Sequence, residues 1–205
     1  MRKVLGVGCI ILGLICLLIA IGFVVYNGRE AEQAEKTSQA LLQDVQINRH
    51  IVQPQESTPE ETVAQIDPEP APRQMQTVTV SGYESIGILT IPVLELELPV
   101  LTEWSYEKLK SAPCHYYGSC YEADFVIAAH NYPSHFGRLS QLQAGDLVIF
   151  TDVTGESYVY EVVLLETLEA TATEEMISSG FDLSLYTCTL GGASRVTVRC
   201  KAISQ

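Results

Sequence analysis

Basic residues are scarce in this sequence. Its 205 residues include 12 Lys and Arg against 25 Asp and Glu, which gives a formal net charge of −13 at pH 7. The imbalance grows along the chain: residues 1–26 carry +2, residues 27–80 have four basic and nine acidic groups, and residues 81–205 have six and sixteen. Such an acidic chain would repel the phosphates of nucleic acid. We therefore expect no nucleic-acid partner.

Charge is absent altogether from residues 4–26, "VLGVGCIILGLICLLIAIGFVVY". These 23 positions match the ~20 residues that cross a hydrocarbon core of about 30 Å. Arg2 and Lys3 precede the run, which favours a cytoplasmic N-terminus. A cleaved signal peptide is the alternative, but its apolar core is usually about 7–15 residues long. We predict a cytoplasmic segment at 1–3, a single membrane-spanning helix at 4–26 in contact with lipid, and an extracytoplasmic remainder.

Residues 27–80 contain no Phe, Tyr or Trp, so they have little to bury. The segment from residue 29 to 46 is rich in helix formers and either extends the membrane helix or forms a separate one. Five of the nine prolines then fall between Pro54 and Pro72. A Pro-rich, acidic stretch without aromatic residues favours an extended spacer. We predict a stalk or linker over 27–80.

Long helical repeats are missing from residues 81–205. Short alternating or apolar runs, such as "DFVIAAH", "GDLVIFTD" and "SYVYEVVLLETL", are separated by turn residues, and many are rich in Val, Ile, Thr and Tyr. This pattern is typical of an all-β barrel or sandwich. Short helices are plausible at residues 105–112, 136–142 and 173–180. We predict one domain over 81–205.

The run "LSLYTCTLGGASRVTVRC", residues 183–200, has the pattern of a β-hairpin turning at a glycine pair. If residues 191 and 192 form a two-residue turn, Cys188 lies directly opposite Arg195. Opposed residues have Cβ atoms about 4.5–5.5 Å apart on one face. Alternation puts residues 184, 186, 197 and 199 on that same face, which we expect to be the wetter one. A thiol beside a guanidinium there favours the thiolate, although a plain structural role for both residues is equally compatible with the hairpin alone.

A thiol nucleophile needs a proton-handling partner. His130 ends the strand-like run "DFVIAAH", and Asn131 follows it. Strand ends commonly carry functional side chains, because a rigid element positions them beside an open loop. His130 is therefore the first candidate and His135 the second.

Together these residues resemble the sortases, the membrane-anchored cysteine transpeptidases of Gram-positive surfaces. "LYTCT" is similar to the family's TLxTC nucleophile strand, with Ser184 in place of the first Thr. "SRVTVRC" resembles the strand that begins with the family's essential arginine, and "VIAAHN" resembles its histidine segment. The order His, Cys, Arg is that of the family. The resemblance covers roughly residues 83–201 and implies a closed β-barrel of about eight strands with a few short helices.

The resemblance also implies a function. His130, Cys188 and Arg195 would form the catalytic set, with Thr187 and Asn131 near the substrate. Cys188 would cleave an LPxTG-like signal of secreted proteins between Thr and Gly through a thioester. An amine of a cell-wall precursor or a pilin lysine would then accept the acyl group. The resemblance assigns no sortase class.

Other interpretations stay open. The barrel could be a membrane-tethered peptide-binding module without catalysis, or a cell-wall cysteine peptidase that hydrolyses the thioester. Cys114 and Cys120 are close enough in sequence for a local disulfide. Calcium bound by acidic groups such as Glu103 and Glu122, or zinc bound near His115, is a weaker alternative. We predict no cofactor and no metal.

Overall fold

The structure is a computed structural model that describes residues 2–49 and 73–203, with side chains from residue 11 onward. The Pro-rich spacer predicted within 27–80 falls largely at residues 50–72, outside the described part. The described residues contain two α-helices, α1 (Arg2–Asn48) and α2 (Thr173–Ile177). Short 3-10 helices lie at Pro92–Leu94, Lys108–Lys110 and Leu139–Gln141. The strands are β1 (Val78–Val80), β2 (Tyr83–Ile91), β3 (Leu96–Leu101), β4 (Cys114–Tyr117), β5 (Phe125–Ala128), β6 (Leu147–Asp152), β7 (Ser157–Glu169), β8 (Leu183–Cys188) and β9 (Ser194–Ala202).

Eight strands form a closed ring in the order β2-β3-β4-β5-β8-β9-β7-β6, and β6 pairs back onto β2. β1 adds to β2 outside the ring. The β3–β4 and β5–β8 pairs are parallel and the others antiparallel, so the barrel is mixed. The predicted closed barrel of about eight strands with a few short helices is confirmed. Closure depends on Gly87, because a Cβ there would overlap the Thr151 carbonyl oxygen on β6.

Alternation along the strands builds two apolar clusters. On β2, Leu89 belongs to the cluster inside the barrel, while its neighbour Ile88 belongs to a second cluster on the outer surface. The same alternation separates Ile127 from Val126 on β5, as expected for successive residues of a strand. The outer cluster is covered by α1 and α2, which contribute Leu41 and Met176 respectively. The barrel therefore has an inner core and a helix-covered outer face.

We expected one face of the β8–β9 hairpin to be solvent-exposed, and this expectation is wrong for most of the hairpin. Ser184, Thr197 and Arg199 are at most 2% exposed, and Tyr186 is 9% exposed. The reason is α2, whose Met176 packs in the same outer cluster as Tyr186. Alternation along the hairpin correctly assigns residues to its two faces. The outer face is nevertheless covered by α2, which lies in the connection between β7 and β8.

Helix α1 runs without a break from the apolar segment into residues that pack on the barrel. Its residues from Ile11 onward are long and apolar enough for a candidate membrane span, with a mean hydropathy of 2.4 in the most apolar window. Side chains from Ile11 to Tyr26 are exposed. Further along, Leu41 and Val45 are buried against the outer face. Much of the predicted stalk up to Asn48 is thus a docked helix.

Candidate functional site

Two of the predicted residues, Cys188 and Arg195, lie opposite each other on neighbouring strands, and the third, His130, follows the end of β5. Cys188 and Arg195 are the last registered pair of the β8–β9 hairpin, as the sequence predicted. Parallel β5 pairs Ala128 with Tyr186, and the Ala129 N–H continues the ladder by donating to the Tyr186 carbonyl at 3.2 Å. If this register is extended two positions past its last pair, it brings His130 level with Cys188. Adjacent strands are about 4.8 Å apart, so a row of these three residues would span roughly 10 Å.

The hairpin turn differs from the expected two-residue connection. Gly192 N–H donates to the Thr189 carbonyl at 2.8 Å, so the tight turn covers Thr189 to Gly192. Gly191 and Gly192 have φ of 86° and 75°, a region in which side chains are strained. Leu190, at the tip, is 94% exposed. The register of Cys188 opposite Arg195 is unaffected by the longer loop.

Thr187 joins the strand of Cys188 to that of His130. Its side chain is 3% exposed, and its hydroxyl donates to the Ala129 carbonyl at 2.8 Å. This bond crosses between β8 and the residue just before His130. Thr187 therefore fixes the spacing within the row and does not face the open side. Asn131, the other predicted substrate residue, is half-buried directly after His130.

His130 is a half-buried imidazole beside Tyr132, with ring centroids 4.9 Å apart. Its Nε2 is buried and has no hydrogen-bond partner among the described residues. Burial lowers the pKa of His130, and the charge of Lys110 adds to this lowering while that of Glu30 opposes it. The ring is therefore mainly neutral at pH 7 and able to accept a proton.

His135, the second candidate, is completely buried. Burial, followed by the nearby charge of His130, lowers the pKa of His135 to about 4. Neither ring nitrogen has a partner in the described part of the chain. Its ring lies 5.5 Å from that of Tyr132, centroid to centroid. His135 thus packs beneath the loop after β5 and is not accessible to an incoming substrate.

Arg195 borders a pocket of about 200 Å³ on the outer face of the barrel. Its Nη1 donates to the carbonyls of Gly192 and Ser194 at 3.0 and 3.1 Å, which holds the guanidinium at the hairpin end. Four aromatic side chains also line the pocket, together with residues of α2 and the segment before it. They are Trp104, Tyr106, Tyr116 and Tyr186. Sequence reasoning placed Tyr186 on the face of Cys188 but missed the other three, because no local pattern in residues 104–116 indicates that they pack against the hairpin.

Cys188 differs from the other thiols of the barrel. Burial raises the pKa of Cys114, Cys120 and Cys200 to about 12, whereas Cys188 is half-buried. Cys114 and Cys120 are free thiols in different apolar clusters, so the suggested disulfide between them is not formed. Of the described barrel cysteines, Cys188 alone is partly open to solvent.

The suggested metal ligands have other partners. His115 lies with its two ring nitrogens 3.3 and 2.8 Å from the carbonyls of Thr102 and Gly118. Glu103 pairs with Lys108 at 2.8 Å. Within residues 11–49 and 73–203, no group of three or more His, Cys, Asp or Glu side chains is arranged to hold a metal ion.

The sequence matches the family described as "Sortase domain" over residues 89–203. Similar solved structures include sortase A from Corynebacterium diphtheriae, at 21% identity and a TM-score of 0.54 over 60% of this chain and 62% of that one. Sortase C1 from Streptococcus suis is 29% identical, with a TM-score of 0.51 over 59% and 74% of the two chains. A Clostridium perfringens sortase C, described with the C-terminal cell wall sorting motif, is 21% identical, with a TM-score of 0.53 over 59% and 71%.

The chain spans less than two thirds of the length of the Corynebacterium diphtheriae protein. No curated protein matches the sequence.

Proposed function

The chain belongs to the sortase family, and on that premise we propose that it is a cysteine transpeptidase that cleaves an LPxTG-like signal between Thr and Gly. The observation that carries the proposal is the pairing of the half-buried Cys188 with Arg195, which lines an aromatic pocket. An aromatic pocket bordered by Arg195 suits an extended peptide with apolar residues before the cleaved bond.

Each residue of the row has a role in the proposed reaction. His130 takes the thiol proton of Cys188, and the resulting thiolate attacks the Thr carbonyl carbon. Arg195 donates hydrogen bonds to the oxyanion or to the substrate backbone. His130 gives a proton to the departing glycine amine, which leaves a thioester on Cys188. An incoming amine then attacks the thioester and loses its proton to His130, so that a new amide bond forms and the Cys188 thiolate departs. His130 returns this proton to the sulfur, which restores the thiol and the neutral imidazole.

The anchoring of the enzyme is part of the proposal. The exposed apolar part of α1 would lie in the membrane with the N-terminus in the cytoplasm, and the barrel would be extracellular. The substrates would be secreted proteins that carry the signal near the C-terminus, as in the Clostridium perfringens structure with its sorting motif. The acceptor would be an amine of a cell-wall precursor or a pilin lysine.

Mass spectrometry of the full chain in detergent, incubated with an LPxTG-type peptide, tests this function. We expect a peptidyl adduct on Cys188, and transfer of the peptide when an amine such as triglycine is added. Cys188→Ala should abolish the adduct. Arg195→Lys should lower turnover by about 10²-fold or more, because an ammonium lacks the planar donor fork. Unchanged thermal unfolding of the Arg195→Lys variant is the control for folding.

The same experiment separates the alternatives. Peptide binding without adduct or cleavage would support a binding module and contradict the proposal. Cleavage at a rate that added amine does not change, with only a free carboxylate product, would support a hydrolytic peptidase. Near-normal turnover of Arg195→Lys would contradict the role given to the arginine.

A further inference from the structure

A cavity of about 460 Å³ lies at the end of the barrel opposite Cys188. Asp182, just before β8, and Ala202, at the end of β9, both line it, whereas Cys188 is the last residue of β8. The connection from β4 to β5 and the start of β7 complete its walls. A cavity of this size accepts a small ligand or a short piece of peptide. It is therefore separate from the site that contains Cys188.

Tyrosine and carboxylate side chains dominate the polar lining of this cavity. They are Tyr121, Tyr158, Tyr160, Glu122, Glu156 and Asp182. The rings of Tyr121 and Tyr158 lie 5.9 Å apart, centroid to centroid, in an edge-on arrangement. Among the described residues, no Lys, Arg or His lines the cavity. Aromatic faces attract cations and carboxylates pair with them, so the cavity suits a cationic group.

The chain's own Arg73 shows that the rim of the cavity accepts a guanidinium. The Arg73 Cζ lies 4.0 Å from the centroid of the Tyr121 ring, and its Nη2 donates to Glu156 Oε2 at 2.7 Å. The two side chains of this ion pair are 55% and 48% exposed, so solvent weakens their attraction. Arg73 is thus a loosely held occupant at the edge of the cavity, which another guanidinium can replace.

A buried carboxylate lies directly behind Glu156. Asp152 is 3% exposed, and its Oδ1 accepts a hydrogen bond from the Glu156 N–H at 3.0 Å. The Asp152 Oδ2 is buried and has no partner among the described residues. On the opposite wall, Asp182 lies 3.8 Å from Lys201. The four carboxylates in and behind the cavity therefore outnumber the two described cations, Arg73 and Lys201, that pair with them.

We propose that this cavity binds an arginine side chain of a peptide segment from another protein, in place of Arg73. The incoming guanidinium lies over the Tyr121 ring and pairs with Glu156, as the Arg73 guanidinium does, and the rest of the segment fills the cavity. A planar guanidinium suits this site better than an ammonium, because it stacks on a ring and donates to a carboxylate at once. The acidic charge of residues 81–205 attracts such a segment. This interaction does not depend on peptide transfer at Cys188.

Methyl NMR on the full chain in nanodiscs tests the inference. Ile203 lines the cavity, and its δ1-methyl signal is assigned by its loss in Ile203→Val. Titration with acetyl-Gly-Arg-Gly-amide should shift this signal. The same peptide with citrulline, a neutral isostere of arginine, should bind roughly fivefold or more weakly, because it lacks the charge that pairs with Glu156. Agmatine, which carries the guanidinium without a peptide backbone, should also bind more weakly.

Two variants test the residues that form the site. Arg73→Gln removes the internal occupant, so the arginine peptide should bind about two- to fivefold more tightly. Glu156→Gln removes the acceptor and should weaken binding roughly fivefold. Glu84→Gln is the matched control, since Glu84 is an exposed carboxylate on β2 that does not line the cavity, and its affinity should be unchanged. Thermal unfolding of each variant checks that the barrel is folded.

Several results would overturn the inference. Equal affinity for the arginine and citrulline peptides, or no shift of Ile203 with either, would mean that the cavity does not recognise the cation. Unchanged affinity in Arg73→Gln or in Glu156→Gln would mean that the peptide does not take the place of Arg73. Equal affinity for agmatine would assign the site to a small free cation and contradict a peptide partner. Adduct formation on Cys188 is measured separately, so failure of the proposed function would leave this result unaffected.

Discussion

Arg199 is a buried cation that joins three elements of the outer face. It is 2% exposed, and its Nε donates to Glu166 Oε1 at 2.7 Å. Nη1 donates to the Ser184 hydroxyl at 2.8 Å, and Nη2 donates to the Glu175 carbonyl at 2.7 Å. Burying a charge is costly unless hydrogen bonds satisfy it, and here a planar guanidinium reaches all three acceptors. Arg199 thereby fixes α2, which forms one wall of the pocket beside Arg195.

Arg199→Met should lower the free energy of unfolding by about 2–4 kcal/mol, because each lost bond to a charged group is worth about 1.5–3 kcal/mol and methionine recovers part of the packing. Urea unfolding followed by Trp104 emission, on the full chain in detergent, checks this. Lys201→Met on the same strand is the matched control. The Lys201 side chain is 49% exposed and lies 3.8 Å from Asp182, so we expect a change of less than about 1 kcal/mol. Equal destabilisation by the two variants would contradict the structural role of Arg199.

For single residues, the sequence predicted which residues lie next to each other better than it predicted which of them are buried. The neighbouring positions of Cys188 and Arg195 follow from a glycine-containing turn and strict alternation, and both signals are local. The burial of Arg199 depends on α2, which lies about 25 residues earlier in the chain. No local pattern indicates that this helix covers the hairpin. The polar residues at 184, 197 and 199 therefore predicted a wet face where the structure has a hydrogen-bonded, buried one.

The docking of α1 on the barrel is the feature that was hardest to predict from the sequence. Its buried stripe consists of Ala34, Ser38, Leu41 and Val45, of which only two have large apolar side chains. Gln and Glu dominate the rest of the segment, so its composition resembles that of a free, solvated helix. The strands of the barrel, in contrast, are short alternating or apolar runs, many of them rich in β-branched residues. The barrel was therefore predictable from sequence, whereas the contact between helix and barrel was not.

Leu41→Ala should release this helix from the barrel without unfolding the barrel itself. Leu41 is 2% exposed, and truncation of such a leucine costs about 2–5 kcal/mol. The contact between α1 and the barrel has few other large apolar groups that could compensate for this loss. A helix without tertiary packing is only marginally stable in water. Hydrogen exchange should therefore accelerate at residues 34–48 and stay unchanged in β5 and β8.

Ile47→Ala is the matched control for this prediction. Ile47 is an apolar residue on the same helix but is 65% exposed, so its truncation should leave exchange in the helix nearly unchanged. Acceleration of exchange throughout the barrel in Leu41→Ala would mean that helix and barrel unfold together. That result would contradict an independently folded barrel with a helix docked on it.

If the apolar part of α1 spans the membrane as proposed, its contact with Lys110 lies at the membrane end of the barrel. Helix α1 is continuous from its exposed apolar segment to the docked stripe, so the barrel cannot swing freely at the point where the apolar run ends. Glu30, four residues after Tyr26, contacts Lys110. Residues 81–205 are acidic, which disfavours approach to an anionic lipid surface by charge alone. On the proposed membrane anchoring, we expect helix packing, not electrostatic attraction, to determine how close the barrel lies to the bilayer.

Trp104, the single tryptophan of the chain, provides a probe of this arrangement. It lines the pocket beside Arg195 and belongs to the same β3–β4 connection as Lys110. In vesicles that contain the full chain and lipids with a nitroxide on the headgroup, we expect quenching of Trp104 emission. Because packing sets the distance, quenching should be similar with neutral and anionic lipids.

Release of the helix should remove this effect. Leu41→Asp places a charge in the outer cluster and should undock the barrel, which is then no longer held beside α1 and spends less time near the headgroups. Quenching of Trp104 should fall in Leu41→Asp and persist in Ile47→Asp, whose side chain is solvent-exposed in both states.

Equal quenching in all three proteins would mean that the barrel reaches the surface without the helix contact. Quenching that increases with anionic lipid would point to electrostatic attraction, contrary to the charge of the domain. Absence of quenching in the wild type would contradict a site held at the membrane by a rigid anchor.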